Sequence, residues 1–515
     1  MEYMAIVSTC LFIHLLVFIP TVVVHGAKKT NLETTPFIVH RDSALSDTMN
    51  EAVQVHHLIS AMNTTSFEDR ANSAWADCLE LYEDSIHYLN HSMSLSKTKK
   101  DYTNDVHTWL SSSLTNHETC HNGFADFNLS NIYFKFFPSN NISKFLSNSL
   151  AINKAVMASK TSRLSSKYSD LSSKNSKERH LLDHELPEWL SASDRKLLEA
   201  EAPPIDVVVA QDGSGNFTTI SEAVAAKTGI KRFVIYVKKG VYNEYVEIKR
   251  SVKNLTLFGD GIDATIVTGS NSNADGFTTF RSATFAARGQ GLIVRGMTFE
   301  NTAGPQKHQA VAMRSSSDLS VFYNCSFKGY QDTLYVHSNR QFYRNCDIYG
   351  TVDFIFGNAV AVIQNSNIYV RMPMSKQMNT ITAQERSSPD ENTGIVLHNC
   401  LVTAAPDLKP VQGTFKTYLG RPWKEYSRTI VVKSYLDDLV DPSGWLPWNG
   451  DFALQTLYYG EYMNNGSGAG TADRVKWPGY HIITNAEEAE RFSVASFLND
   501  NLWLAATGVP YTPGL

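Results

Sequence analysis

Cysteine is scarce in this chain. Six occur in 515 residues, none in a Cys-x-x-Cys pair. That argues against a zinc-binding finger and a dithiol redox motif, so no metal and no cofactor is expected. An excess of one charge is missing too. Lys and Arg number 46 against 51 Asp and Glu, a net charge of −5, with no large basic block. Nucleic acid is therefore not an expected partner. There is no Gly-x-Ser-x-Gly turn, and only four histidines follow residue 199: His308, His337, His398 and His481. No Ser-His-Asp constellation offers itself. From Val252 to Val432 no helix-length apolar periodicity appears. What is present is 43% apolar residues, enough for a real core, over a length that calls for two or three domains.

One apolar run is long, Ala5 to Val24, ending in His25-Gly26-Ala27-Lys28-Lys29. Residues 1–26 read as a signal peptide, with a retained membrane anchor as the alternative. Either sends the rest into the secretory pathway, so a secreted protein is expected. Asn-x-Ser/Thr sequons at Asn63, Asn90, Asn128, Asn141, Asn216, Asn254, Asn324 and Asn465 agree. Residues 36–160 read as a helical bundle, because Ala74 to Met93 and Asp105 to Leu114 place apolar side chains at three- and four-residue steps. A Cys78–Cys120 disulfide would clamp two of its helices. Residues 161–204 have linker composition, rich in Ser, Lys, Arg and Asp, and contain the basic pair Arg195-Lys196 before Leu197-Leu198. From 205 to 515 short β-branched runs take over. Gly213-Ser214-Gly215 among them reads as a plain turn, since no phosphate-binding partner stands at the right spacing.

A repeat organises this second half. Phe322-Tyr323-Asn324-Cys325, Tyr343-Arg344-Asn345-Cys346, Ile363-Gln364-Asn365-Ser366 and Leu397-His398-Asn399-Cys400 step by 21, 20 and 34 residues. Such a period predicts a right-handed parallel β-helix, one coil stacked on the next at roughly 4.8 Å. The asparagines then read as amides stacked inside the coil, and Asn324 as buried and unglycosylated. Two carboxylates share the period. Asp332 lies in Gly329-Tyr330-Gln331-Asp332-Thr333-Leu334-Tyr335, and Asp353, twenty-one residues on, in Gly350-Thr351-Val352-Asp353-Phe354-Ile355-Phe356-Gly357. They should face each other on adjacent coils. Gln309 and Gln331, 22 residues apart, should do the same.

These motifs, with His308-Gln309-Ala310, Leu419-Gly420-Arg421-Pro422-Trp423 and Trp445-Leu446-Pro447-Trp448, resemble the plant pectin methylesterases over residues 205–515. Residues 36–160 resemble, more loosely, the inhibitor domain that many of those enzymes carry as a pro-region, and Arg195-Lys196-Leu197-Leu198 resembles the processing site. The resemblance implies hydrolysis of methyl esters in cell-wall homogalacturonan to pectate and methanol, by a secreted monomer in the cell wall. It implies Asp353 as nucleophile and Asp332 as the acid that protonates methanol and then activates water. It implies proteinaceous inhibitors and a processing protease as partners. The residues fit that chemistry. Arg421 would hold Asp353 ionised and orient it. Phe354, Phe356 and Tyr330 would give Asp332 an apolar setting that keeps it protonated. Gln309 and Gln331 carry amide donors for an oxyanion. Tyr335, Phe356 and Trp423 would stack on sugars, and Thr279 would line the same cleft. The chain departs from the resemblance twice. A cysteine partner for Cys346 twenty residues on is replaced by Ser366, and the inhibitor-like part has no cysteines between its start and Cys78, leaving one disulfide where the family has two. Competing readings are another β-helix pectin enzyme, a lyase or a polygalacturonase, and a non-catalytic inhibitor. The calcium-binding carboxylate cluster of the first and the three close aspartates of the second are not evident.

Overall fold

The computed structural model describes residues 35–65, 67–96, 101–136, 141–172, 204–500 and 503–515. The apolar run at the N-terminus and the Arg195–Leu198 stretch lie outside these residues. Helices α1 (Thr35–Ser60), α2 (Asp69–Ser96), α3 (Thr103–Ala125), α4 (Ser130–Phe136) and α5 (Ile142–Ser172) form the first half. Their core is built from residues such as Leu45, Ala52, Leu81, Leu110, Leu114, Leu146 and Leu150, all buried. The Cys78–Cys120 disulfide ties α2 to α3. Helix α5 runs to Ser172, well into the stretch expected to be linker. No Pro or Gly stands between 142 and 172 to stop it, and Lys, Ser and Leu are tolerated in a helix.

Residues 204–500 build a parallel β-helix. Its strands fall into three sheets of eleven, eight and seven strands among the described residues. Neighbouring strands in a sheet come from successive coils, all in parallel pairs, as in Phe322↔Tyr343↔Ile363↔Leu397↔Val431. The interior is one continuous apolar column, in which Phe322 stacks on Tyr343 at 4.7 Å. A short helix, Ile220–Ala225, closes the N-terminal end with Ile220, Ala223 and Val224 buried.

The asparagine series is not inside the coil. Asn324, Asn345, Asn365 and Asn399 have φ of 52°, 51°, 52° and 55°, and each follows a strand of the first sheet and precedes one of the second. A coil corner made by one left-handed residue suits asparagine, whose short side chain tolerates that conformation. The side chains point outward. Asn324, Asn345 and Asn399 are exposed, and Asn399 Nδ2 donates to Asn365 Oδ1 at 3.0 Å. Asn324 is thus an accessible sequon rather than a buried one. The cysteine beside each corner does face inward. Cys325, Cys346 and Cys400 are free and buried, and Ser366 Oγ accepts the Cys346 N–H at 3.0 Å.

The helical bundle lies against the outer face of the third sheet. One apolar cluster joins bundle residues such as Leu81, Leu114 and Phe124 to Phe280, Val311, Tyr335, Phe356 and Ala383 of the β-helix.

Candidate active site

Each coil must turn from the second sheet into the third. Asp332 and Asp353 occupy this turn on adjacent coils, just before strands Leu334–Val336 and Ile355–Gly357. Those strands pair with Leu334 opposite Ile355 and Tyr335 opposite Phe356, and Asp332 N–H donates to Val352 C=O at 3.1 Å. Both aspartates are left-handed, with φ of 64° and 51°. This conformation is costly for a side-chain-bearing residue by about 1 kcal/mol or more and clusters at functional sites. Gly357 ends the same motif at φ 118°, where a Cβ would strike the Val336 carbonyl oxygen.

The two carboxyls meet different surroundings. Asp353 Oδ1 accepts from Arg421 Nε at 2.8 Å and Oδ2 from Arg421 Nη2 at 2.5 Å. Thr380, one coil further, donates its hydroxyl to Asp353 Oδ1 at 2.6 Å and accepts the Asp353 N–H at 2.9 Å. A bidentate guanidinium and a hydroxyl hold the Asp353 carboxyl group in one orientation. Burial opposes the charge on Arg421, but the Asp353 carboxylate outweighs it and raises the guanidinium pKa. Arg421 is also stacked on Trp448, 4.4 Å from the ring centre. Asp332 is pushed well above the usual carboxylate range. Burial does most of this, followed by the charges of Asp353 and Asp126, with Arg421 pulling the other way. One carboxylate paired and one carboxyl protonated is the arrangement that divides a nucleophile from an acid.

Around them lies a cavity of about 240 Å³. Its lining brings together Thr279, Gln309, Gln331, Asp332, Tyr335, Asp353, Phe356, Arg421 and Trp423, the catalytic and sugar-contacting residues expected from the β-helix sequence. Tyr335 stacks on Phe356 at 4.2 Å to make the floor, and Trp423 leans over Phe356 at 5.9 Å. Two residues expected beside Asp332 are elsewhere. Phe354 points into the coil interior, and Tyr330 faces a different groove, under the Arg371 guanidinium. Burial under α3 and the charge of Asp126 act on Asp332 in their place.

Residues missed in the sequence come from two sources. Thr380 sits in the coil after Asp353 at a 27-residue step, off the period. Thr119, Asn122, Gly123 and Asp126 line the cavity from α3 and the residue that caps it. Asp126 Oδ2 accepts from the Thr279 hydroxyl at 2.9 Å and from its N–H at 3.3 Å. Thr119 reaches the Tyr335 hydroxyl at 3.5 Å, and Lys424 Nζ pairs with Glu118 at 2.8 Å. Glu385, beneath Asn122, is pushed up to about 8 by burial. No signal in the repeat could have announced these contacts. No group of three or more His, Cys, Asp or Glu side chains among the described residues is arranged to hold a metal ion.

Comparison with known proteins adds an independent finding. A family model described as Pectinesterase matches residues 206–501, and one described as plant invertase/pectin methylesterase inhibitor matches residues 27–152. A probable pectinesterase/pectinesterase inhibitor of Arabidopsis thaliana is 52% identical over 523 residues, covering 96% of this chain and 92% of the relative. Pectinesterase 2 of Citrus sinensis is 53% identical over 451 residues, 87% of this chain and 83% of its own length. Among solved structures, pectin methylesterase from carrot aligns with a TM-score of 0.61 at 53% identity, covering 61% of this chain and all of the carrot protein. The Aspergillus niger pectin methylesterase aligns with a TM-score of 0.51 at 31% identity, over 59% of this chain and 96% of its own.

Proposed function

The chain belongs to the pectinesterase family, a family of carboxylic ester hydrolases, and from that premise we propose that it hydrolyses the methyl esters of homogalacturonan by a two-aspartate mechanism. Asp353 attacks the ester carbonyl carbon through its carboxylate, forming a mixed anhydride. The methoxy oxygen leaves with the proton of Asp332 as methanol. Gln309 and Gln331 donate to the oxyanion of the tetrahedral intermediate. Asp332, now a carboxylate, removes a proton from water as the water attacks the substrate carbonyl of the anhydride. The galacturonate carboxylic acid departs, Asp353 returns as a carboxylate, and Asp332 is again protonated. Arg421 orients Asp353 throughout, and Tyr335, Phe356 and Trp423 give the sugar rings apolar faces.

The observation that carries this reading is the contrast between the two carboxyls: Asp353 gripped by Arg421 and Thr380, Asp332 buried without a cation of its own. We also infer the division of labour along the chain. Residues 1–26 direct secretion to the cell wall, 36–160 form an inhibitor-like pro-region, 161–204 carry the processing site, and 205–515 act on pectin. The α3 side chains in the cavity support a silent uncut chain, since Thr119 and Asp126 stand in its wall beside the two aspartates. Methanol release from methyl-esterified pectin, measured alongside the absorbance of unsaturated products, tests the reading. Methanol without unsaturation is expected. Unsaturated ends without methanol would make the chain a lyase, and neither product from the released 205–515 part would leave a binding protein.

A further inference from the structure

Helix α2 carries three acidic side chains on one face, Asp77, Glu80 and Asp84, at three- and four-residue steps. All three meet arginines of the β-helix. Asp77 Oδ1 lies 2.6 Å from Arg281 Nε. Glu80 reaches Arg288 Nε at 3.3 Å and Arg281 Nη2 at 3.4 Å. Asp84 reaches Arg250 Nη1 at 3.1 Å and Arg288 Nη1 at 3.4 Å. A fourth arginine, Arg314, lies beneath the row with its nearest carboxylate oxygen, on Glu80, 4.0 Å away. Its guanidinium sits 3.4 Å above the Phe280 ring, and its Nε and Nη1 atoms are buried without a hydrogen-bond partner. A buried cation with unmet donors is costly, so its retention points to a ligand.

The row starts at the cavity. Arg314 pairs in register with Tyr335, the cavity floor, and on its other side with Ala286, two residues before Arg288. Thr279 and Phe280 line the cavity directly before Arg281. The β-helix itself supplies one carboxylate to the row, Glu247, 2.8 Å from Arg288 Nη2. Without α2, four guanidinium groups would face one carboxylate. The catalytic scheme uses none of them.

We propose that this arginine row is a binding track for the carboxylates of a de-esterified galacturonan stretch, and that Asp77, Glu80 and Asp84 of α2 occupy it in the uncut chain in place of uronate groups. The proposal rests on the pectinesterase reading, because that stretch is the reaction's own product. A methyl-esterified stretch is neutral and offers the row nothing. The four arginines lie on three successive coils, stacked at roughly 4.8 Å, so they follow the direction in which the coils stack. Planar guanidinium forks are the groups suited to carboxylates.

The test compares the uncut chain with the 205–515 part freed from it. That part holds two apolar clusters of its own, and the whole carrot chain is matched by 61% of this one. The probes are a fluorescent, fully de-esterified galacturonate hexamer and its fully methyl-esterified counterpart. With Asp353→Ala in every sample to keep the ester intact, the freed part should bind the de-esterified hexamer in preference to the ester, and more weakly as salt rises. Arg281→Gln with Arg288→Gln should weaken that binding by roughly tenfold or more. Arg281→Lys with Arg288→Lys should recover part of it, and the uncut chain should bind no better than the double Gln variant. Arg250→Gln, a change at the edge of the row, gives a second reading should the double variant not fold. Equal affinity of a folded Gln variant and the native sequence would overturn the proposal, as would tight binding by the uncut chain. Failure of the functional reading shows separately, as absence of methanol from the freed native part.

Discussion

Ser366→Cys should place a disulfide in the wall of the β-helix. Ser366 lies in register with Cys346 on one side and Cys400 on the other, since Arg344 pairs with Gln364 and Gln364 with His398. One-coil spacing, roughly 4.8 Å, falls in the Cα separation that a disulfide spans. Cys400 Sγ already points back to the Ile363 carbonyl at 3.3 Å, and Ser366 Oγ points back to the Cys346 N–H. Closing the 20-residue loop to Cys346 would constrain the unfolded chain by about 3.3 kcal/mol, and the 34-residue loop to Cys400 by about 3.8 kcal/mol. Against this, Ser366 loses two hydrogen bonds, from Cys346 N–H and to the Gln364 carbonyl at 3.1 Å, about 1 kcal/mol each. The net gain is about 1–2 kcal/mol. For the 205–515 part that raises the unfolding midpoint by roughly 2–3 °C. Thermal unfolding with and without reductant reads the effect, and peptide mapping identifies the partner. An unchanged midpoint with no response to reductant would refute the in-register geometry.

Three further outcomes follow from the site and its cover. Arg421→Lys should lower kcat/KM by roughly 30-fold or more, since a point charge cannot reproduce the two-point grip on Asp353 or the stack on Trp448; a fully active variant would remove Arg421 from the mechanism. Asp77 is raised to about 7 by burial, against the pull of Arg281 and Thr278, and regains its ordinary value near 3.8 when α2 leaves. A raised carboxyl favours the docked state most fully below its free pKa and loses that contribution as pH rises toward 7. Docking should therefore weaken by about 2–3 kcal/mol between pH 5 and pH 8 from this group alone. Size-exclusion of a linker-cut chain at the two pH values reads it, and equal retention of the bundle would contradict the assignment. The secreted form should begin near Glu199, and N-terminal sequencing that finds only the longer chain in the cell wall would count against processing at Arg195–Leu198.

The sequence exposed whatever the repeat controls. A 21-residue step placed Asp332 and Asp353 on neighbouring coils, and the same logic paired Gln309 with Gln331. Arg421, Trp423 and Thr279 came from the resemblance, not from the period. The errors have physical causes. Asn324 and its relatives share the period, but a period cannot distinguish an inward position from a left-handed corner that faces solvent. Phe354 and Phe356 are two residues apart, yet the turn around Asp353 sends only Phe356 to the cavity. Ser and Lys between 160 and 172 read as linker, although nothing there breaks a helix. Asp126 and the α2 carboxylates act through the docking of two units far apart in the chain, and neither period nor propensity encodes that docking.

The central claim is that Asp353 attacks and Asp332 delivers and removes the proton. Methanol release by the 205–515 part is the direct measurement, made on the native sequence, Asp353→Ala and Asp332→Asn at equal, verified folding. The account predicts that Asp353→Ala releases no methanol above background. Asp332→Asn should turn over at least roughly a hundredfold more slowly with a much smaller change in KM. Near-native methanol release by either variant would contradict the two-carboxylate mechanism.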